Sequence, residues 1–301
     1  RSYGLSVETQ DFREAGGMAD RSEWGWYKGQ NVIGVLPGQG QGTVVLTAHR
    51  DCMPKAPEGA YDNASGTAAV MELARVLAAS RPHRYTYLFV ALDGEEIGLA
   101  GARVLMNNSP VALKDIRLMV NLDMVGFKDS HQLGVTHTQY LSPEARALVA
   151  SRFSLPGYML LQFPLGRGSD AQLYVWRGLP TLDVREILPR STKMASHNAG
   201  DTCDQISSES IQQAGRAVER LLRQGDAMGA FTPSTGLAAC DGTGVLRRWR
   251  YMLGGICIFA ALTVPLLLRL HSAAHGGKPG RTMVALILLT GILTALNTLW
   301  G

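Results

Sequence analysis

Imidazole and carboxylate side chains directly follow three short apolar stretches of the sequence. The stretches 43–48, 85–92 and 116–122 lead into His49 and Asp51, into Asp93, Glu95 and Glu96, and into Asp123. Open α/β sheets build their binding sites at the carboxyl ends of their strands. We therefore expect these side chains to meet at one edge of a sheet.

Two further residues extend this set. Asp62 stands in the loop before a predicted helix that begins near Ser65, and His197 lies in the polar segment 196–201. Nitrogen and oxygen donors without a thiolate suit borderline or hard divalent cations, and one carboxylate can bridge two of them. The residue types thus favour a site for two metal ions.

Each residue taken alone also has a simpler explanation. Asp62 or Asn63 could cap the following helix. Glu95 and Glu96 could form a solvated turn, while His197 and Asp123 could be ordinary loop residues. These separate explanations do not account for apolar strands that repeatedly end in potential metal ligands. A metal site is therefore the better interpretation of the whole set.

The apolar stretches predict the strands that position this site. They cover residues 32–35, 43–48, 85–92, 116–122 and 181–184. All are short and rich in β-branched and aliphatic residues, and several are apolar on both faces, which is typical of strands buried between helix layers.

Helices are predicted between these strands, over residues 65–79, 98–106, 143–153 and 208–223. The first and the last carry a single apolar stripe, as amphipathic helices do. The alternation predicts an α/β fold with a mixed, mostly parallel central sheet and helices on both faces. Residues 1–30 show no clean period, and we expect them to pack over the domain without forming a regular layer.

The composition changes after the last predicted helix. Residues 226–246 are rich in Gly, Ala, Thr and Ser, as a flexible linker is. Residues 252–268 and 282–300 run without a charge for 17 and 19 positions, close to the ~20 that cross a bilayer core. We predict a folded domain over 1–225, a linker over 226–246, and a membrane anchor over 247–301 with two transmembrane helices in contact with lipid. A pair of buried core helices is the alternative.

Charge and cysteine content exclude several classes of protein. The net charge is only +4 over 301 residues. Because no basic stripe interleaved with aromatic residues appears, no nucleic-acid partner is expected. Cys257 lies in an apolar run, and the other cysteines lack CxxC spacing, so neither a zinc ribbon nor a disulfide framework is indicated. The sequence is compatible with a single disulfide bond among Cys52, Cys203 and Cys240.

Five motifs between about residues 31 and 222 resemble those of the dizinc aminopeptidases. That family includes secreted bacterial leucyl aminopeptidases, aminopeptidase Y and aminopeptidase S. The motifs are AHRD at 48–51, YDNASG at 61–66, LDGEEIG at 92–98, NLDM at 121–124 and HNAGDT at 197–202. The resemblance implies a metallo-exopeptidase that removes N-terminal residues from peptides, using a water activated between two zinc ions.

The resemblance also implies a set of metal ligands. His49 and Asp123 would hold one zinc ion, and Glu96 and His197 would hold the other. Asp62 would bridge the two.

A general base follows from the same resemblance. Glu95 would take a proton from the attacking water and return it to the leaving amine, a role that suits a carboxyl with a raised pKa. Spacing alone does not distinguish Glu95 from Glu96, and the order of the family motif decides between them.

Asp51 is predicted to support a ligand. Residues two apart in a strand project to the same side, which places the Asp51 carboxylate beside His49 while Arg50 faces away. A hydrogen bond from the far imidazole nitrogen to this carboxylate would fix the tautomer of His49 and make it a better ligand.

Two other functions are compatible with a domain of this fold. A glutaminyl-cyclase-like enzyme shares the fold but works with one zinc, and His49 beside a complete second ligand set favours hydrolysis. A receptor or scaffold domain of this fold would have lost ligands, whereas this sequence keeps all five and the base. The chain also departs from the family in one place, since Ala171 follows Ser169 and Asp170 where the family often has Ser-Asp-His.

Location and specificity rest on the resemblance as well. The metal motifs do not separate an aminopeptidase from a carboxypeptidase or dipeptidase, and aminopeptidase is the commonest activity of the family. Because family members are largely secreted, we expect the catalytic domain to face away from the cytoplasm. Basic residues do not decide the orientation, because three arginines precede the first predicted span and Arg269, Lys278 and Arg281 follow it.

Overall fold

Eight strands form the sheet that carries the candidate site. They are β1 Ser6–Ala15, β2 Trp26–Leu36, β3 Thr43–His49, β4 Thr86–Leu92, β5 Ile116–Leu122, β6 Leu133–His137, β7 Tyr158–Gln162 and β8 Thr181–Glu186. The computed structural model describes residues 3–15, 26–128, 130, 132–162, 168–188 and 196–233. The strands lie in the order β1-β2-β4-β3-β5-β8-β6-β7.

The centre of this sheet is parallel. Strand β3 pairs in parallel with β4 and β5, and β5 pairs in parallel with β8. The antiparallel pairs are β1 with β2, β2 with β4, and β6 with β8. The predicted mixed, mostly parallel sheet is confirmed, and the carboxyl ends of β4, β3 and β5 meet at one edge.

Within the described residues, five α-helices cover the sheet. They are α1 Ser65–Ala78, α2 Ala100–Asn107, α3 Pro143–Phe153, α4 Ala171–Trp176 and α5 Ser208–Met228. Alternate residues of β3 point to different apolar clusters: Val44 and Leu46 pack in the cluster that contains α1, α3 and α5, and Val45 packs in the cluster that contains α2 and α4. Helices therefore lie on both faces of the sheet, as predicted.

The expectation for residues 1–30 is wrong, because they contribute a regular two-stranded ribbon. Strand β1 pairs with β2 from Ser6 opposite Val35 to Ala15 opposite Trp26. Val32 of β2 lies opposite Ala91 near the end of β4, so residues 26–31 extend beyond the sheet and pair only with β1. A ribbon without a covering layer does not need apolar alternation, and its sequence therefore shows no clean period.

Strand β6 and helix α4 are also not predicted by the sequence pattern. Strand β6 has the sequence LGVTH, in which a glycine and two polar residues leave no apolar run, and helix α4 has only six residues, too few for a clear helical period. Helix α4 also begins at Ala171, directly after the Ser-Asp pair where the chain departs from the family motif. It therefore places Ser169 and Asp170 beneath the sheet edge that carries the site.

The packed domain extends past the predicted boundary at residue 225. Helix α5 runs on to Met228 and ends at Gly229, whose φ of +64° is left-handed. Phe231 is 1% exposed and its ring lies 5.4 Å from that of Tyr85. A Cβ on Gly225 would come within 2.1 Å of the Phe231 ring, so a glycine is required at this close approach.

Phe231 should therefore stabilise the domain strongly. Replacing it by alanine leaves a cavity under α5, and we expect the free energy of unfolding to fall by about 3–5 kcal/mol. Urea denaturation of a chain that ends at residue 233 would measure this. The exposed Met228, replaced by alanine in the same chain, should change stability by less than about 0.5 kcal/mol.

The predicted transmembrane helices over 252–268 and 282–300, and the predicted linker from residue 234 onward, lie outside the described residues. Within the described part of the chain, no helix is both long enough and apolar enough to span a membrane.

Candidate metal centre

The first group of candidate ligands lies where β3 and β5 end. His49 is the last residue of β3, and Asp123 follows β5 directly. His49 Nε2 lies 3.3 Å from Asp62 Oδ1 and 3.5 Å from Asp123 Oδ1. All three side chains are buried, so this group lies deep in the site.

The second group lies at the surface and shares one residue with the first. His197 Nε2 is 3.2 Å from Asp62 Oδ2 and 3.2 Å from Glu96 Oε2. The His197 side chain is 56% exposed. Asp62 thus presents one oxygen to each histidine, and this is the arrangement that a bridging carboxylate requires.

The buried oxygens of both groups fit metal ions. Within each group, the candidate ligand atoms lie within 4.8 Å of one another. Glu96 Oε1 and Asp123 Oδ1 are buried and accept no hydrogen bond from any described residue. A buried carboxylate oxygen without a partner is costly, and a divalent cation would satisfy it. The structure therefore brings together all five residues predicted to be ligands, with no thiolate among them.

Backbone contacts hold Asp62 in place. The Asp201 carboxylate accepts hydrogen bonds from the backbone N–H groups of Tyr61 and Asp62, at 2.7 and 3.1 Å. Asn63 Oδ1 accepts from Gly66 N at 3.0 Å. The side chain that accepts a backbone N–H of the first turn of α1 is thus that of Asn63 and not that of Asp62, and both oxygens of Asp62 face the histidines.

Asp51 contacts more than the histidine it was predicted to support. The Asp51 backbone carbonyl lies 3.1 Å from His49 Nδ1, whereas its carboxylate is 3.6 Å from the same atom. The closer partner of His49 is therefore the carbonyl. The carboxylate instead accepts the backbone N–H groups of Glu95 and Glu96, both at 3.1 Å, and so fixes the turn that carries the predicted base and a predicted ligand.

Both glutamates of this turn have raised pKa values. Burial raises the pKa of Glu95 to about 9, and the carboxyl of Asp170 is the next cause. Burial, and then the charge of Asp62, raises the pKa of Glu96 to about 8. A carboxyl in such surroundings can take up and hold a proton near neutral pH. In the metal-free protein both carboxyls should therefore be protonated at neutral pH, and bound cations would lower both pKa values.

Asp93 does not join the ligands, although it follows a strand as they do. Its carboxylate accepts hydrogen bonds from Tyr27 Oη at 2.5 Å, from Gln30 N at 2.9 Å and from Arg50 at 2.7 Å. These contacts tie the β1–β2 ribbon to the end of β4. Asp93 therefore anchors the ribbon beside the site.

Two charged residues near the site, Asp183 and Arg185, are not found by the sequence pattern. Asp183 and Arg185 lie inside β8, and Arg185 contacts Asp123. The available signal is the pair of opposite charges two positions apart in a short strand. Asp201 lies in the HNAGDT motif, but no pattern in the sequence marks it as the partner of the Tyr61 and Asp62 backbone.

Comparison with known proteins places this geometry in a family. The sequence profile of peptidase family M28 matches residues 31–222. The chain belongs to peptidase family M28. Aminopeptidase YwaD of Bacillus subtilis is 32% identical over 206 residues, which cover 63% of this chain and 43% of that protein. The chain spans about half the length of the curated relatives it matches.

Solved structures agree with the M28 assignment. The crystal structure of a zinc aminopeptidase from Bacillus subtilis has a TM-score of 0.57 at 30% identity, over 65% of this chain and 50% of that one. A glutaminyl cyclase from Porphyromonas gingivalis has a TM-score of 0.61 at 20% identity, over 74% of this chain and 84% of that one. At that identity, the second likeness is one of fold alone.

Asp170 is a buried acid of this M28 domain whose charge interacts with the candidate ligands His49 and Asp123. It is 1% exposed, and neither carboxyl oxygen has a hydrogen-bond partner among the described residues. Burial raises the pKa of Asp170 to about 8, although the nearby His49 opposes the shift. In the metal-free protein, Asp170 should therefore be protonated at neutral pH.

This protonation predicts a pH dependence of stability for the M28 domain. The folded state holds a proton that the unfolded state releases above about pH 4, so the free energy of unfolding should fall as pH rises from about 4 to 8, by at most ~1.4 kcal/mol per pH unit. Asp170→Asn removes this contribution. In urea denaturation with a chelator, the variant should gain stability relative to the wild type as pH rises. A difference that does not change with pH would contradict the prediction.

Proposed function

We propose that the chain is an aminopeptidase that acts with two zinc ions. The observation that carries this proposal is the position of Asp62, whose two oxygens face two different histidines, each with a further carboxylate beside it. His49, Asp62 and Asp123 would hold one ion, and Asp62, Glu96 and His197 the other. The names of the relatives support removal of N-terminal residues from peptides.

The ions and the side chains would have different tasks. When bound, a pair of zinc ions polarises the peptide carbonyl and lowers the pKa of water. The protein supplies the proton carrier and its position. Asp51 fixes the backbone of Glu95, so the Glu95 carboxyl would be held at the centre without being a ligand. It would accept a proton from the attacking water and pass it to the leaving amine.

Aminoacyl reporter substrates would test this proposal. The purified chain should release the reporter from one or more N-terminal residues, lose this activity in a chelator and regain it with zinc. A blocked N-terminus on the same substrate should prevent hydrolysis. Hydrolysis that is insensitive to the chelator, or equal cleavage of blocked substrates, would contradict the proposal.

A peptide with N-terminal glutamine separates the proposal from the glutaminyl-cyclase alternative. Hydrolysis releases free glutamine and a shortened peptide, whereas cyclisation keeps the chain length and releases ammonia. Mass spectrometry distinguishes the products. A protein that binds neither ions nor substrate in these assays would fit the scaffold alternative.

We also propose that the C-terminal part anchors the enzyme in a membrane, with the catalytic domain outside the cytoplasm. The support is the sequence of residues 252–268 and 282–300, which carry no charge. The orientation rests on the resemblance to a family whose members are largely secreted.

A topology reporter tests the orientation. Fused near Ala274, in the predicted loop 269–281, an enzyme reporter that works only in the cytoplasm should be active. Activity there of a reporter that works only outside the cytoplasm would overturn the orientation without affecting the proposed chemistry.

A further inference from the structure

A pair of opposite charges lies inside β8, which is an interior strand between β5 and β6. Asp183 is 3% exposed, and the Arg185 side chain is 34% exposed. Moving an ion pair out of water is expensive, and it rarely stabilises a fold more than well-packed apolar residues would. We therefore expect this ion pair to have a role other than stabilising the fold.

Asp183 is the fixed member of this pair. Its Oδ2 lies 3.0 Å from a terminal guanidinium nitrogen of Arg185 and 3.2 Å from Arg185 Nε. Its Oδ1 accepts Asn121 Nδ2 at 3.0 Å, and Asn121 Oδ1 accepts Thr47 Oγ1 at 2.8 Å. This network crosses β3, β5 and β8, so the orientation of the guanidinium is set by three neighbouring strands.

The guanidinium in turn contacts a predicted ligand. The same terminal nitrogen of Arg185 lies 3.3 Å from Asp123 Oδ2. The other oxygen of Asp123 faces His49 Nε2 at 3.5 Å and accepts no hydrogen bond from the residues described. Arg185 thus engages one oxygen of Asp123 and leaves the other directed at the site.

We propose that Arg185, oriented by Asp183, is a positioning residue that holds Asp123 as a one-oxygen ligand for the ion beside His49. This inference rests on the proposed two-ion function. Groups that orient a metal ligand from behind typically change metal affinity 10–100-fold when they are removed. Among the candidate ligands, Arg185 forms an ion pair with Asp123, and no ion pair links it to Glu96 or His197 in the part of the chain described. Its effect should therefore be confined to one of the two ions.

Zinc titration of the full chain in detergent, first stripped with a chelator, would test the proposal. In Arg185→Gln, one ion should bind 10–100-fold more weakly, and the other should bind as in the wild type. Repeating the change in a Glu96→Gln background isolates the ion beside His49, and the same loss should appear there. If Arg185 had only a general structural role, the affinity for both ions would fall or the affinity for both would stay unchanged.

Two further variants keep the test decisive. Arg185→Lys retains the charge but not the forked geometry, and it should lose less affinity than Arg185→Gln at the same ion. It also replaces Arg185→Gln in the zinc titration if Arg185→Gln fails to fold. Arg50→Gln is the matched control, because Arg50 pairs with Asp93 at 2.7 Å and Asp93 is not a ligand. Its zinc affinities should equal those of the wild type.

The outcomes separate this inference from the function on which it rests. A wild-type chain that binds fewer than two ions, or does not hydrolyse peptides, contradicts the proposed function. A wild-type chain that binds two, with Arg185→Gln and Arg185→Lys binding both as tightly, contradicts the positioning role alone. Tighter binding in Arg185→Gln would also overturn it, since the arginine would then act only by charge repulsion.

Discussion

Glu95→Gln should keep both metal ions and lose most of its turnover. Glu95 lies in the turn that the Asp51 carboxylate holds through backbone N–H groups, and its own side chain belongs to neither group of candidate ligands. The amide preserves size but cannot accept and return a proton. General acid–base assistance typically supplies ~10²–10⁴ in rate, so kcat should fall by at least that factor and added zinc should not restore it.

Glu96→Gln is the matched comparison, because it makes the same chemical change one residue away. Glu96 Oε2 lies 3.2 Å from His197 Nε2, within the second ligand group. The glutamine amide replaces an anionic ligand by a neutral one. The ion beside His197 should therefore bind more weakly, and activity should fall together with metal content.

Metal analysis of each purified protein, beside kcat and KM, decides between the two residues. The assignment requires a Glu95→Gln protein with unchanged metal content and substrate affinity. The reverse pattern, in which Glu95→Gln loses zinc while Glu96→Gln keeps both ions, would exchange the roles of base and ligand.

The sequence predicts those parts of the site that repeat a local pattern. Strands β3, β4 and β5 are apolar on both faces, and each is followed by residues that can bind metal. Their parallel pairing brings these ends together. The predicted ligands therefore meet in the structure, even though spacing alone could not separate Glu95 from Glu96.

The supporting contacts could not be predicted, since they join residues far apart in the chain. Asp201 accepts the N–H of Tyr61 from 140 positions away, and Arg185 reaches Asp123 across 62. No local periodicity of the sequence indicates that such distant residues will be in contact. Strand β1 and residues 26–31 of β2 show no clear period for a related reason, because these segments are stabilised mainly by pairing with each other and need no apolar face.

Asp62→Asn should release both ions at once. Asp62 is the only described residue present in both groups of candidate ligands, with one oxygen 3.3 Å from His49 Nε2 and the other 3.2 Å from His197 Nε2. Removing its charge takes an anionic ligand from each ion. The backbone of the loop should stay in place, because Asp201 binds the N–H groups of Tyr61 and Asp62 rather than the side chain.

Thermal unfolding gives a readout of this loss that does not depend on activity. A ligand present at 100 times its Kd stabilises the folded state by about 2.7 kcal/mol, so zinc should raise the melting temperature of the wild type but not of Asp62→Asn. Asp204→Asn is a suitable control, since Asp204 is exposed and belongs to neither ligand group; it should respond to zinc as the wild type does. An Asp62→Asn protein that still binds one ion with wild-type affinity would show that Asp62 serves a single ion, and the bridged centre would have to be replaced by two separate ones.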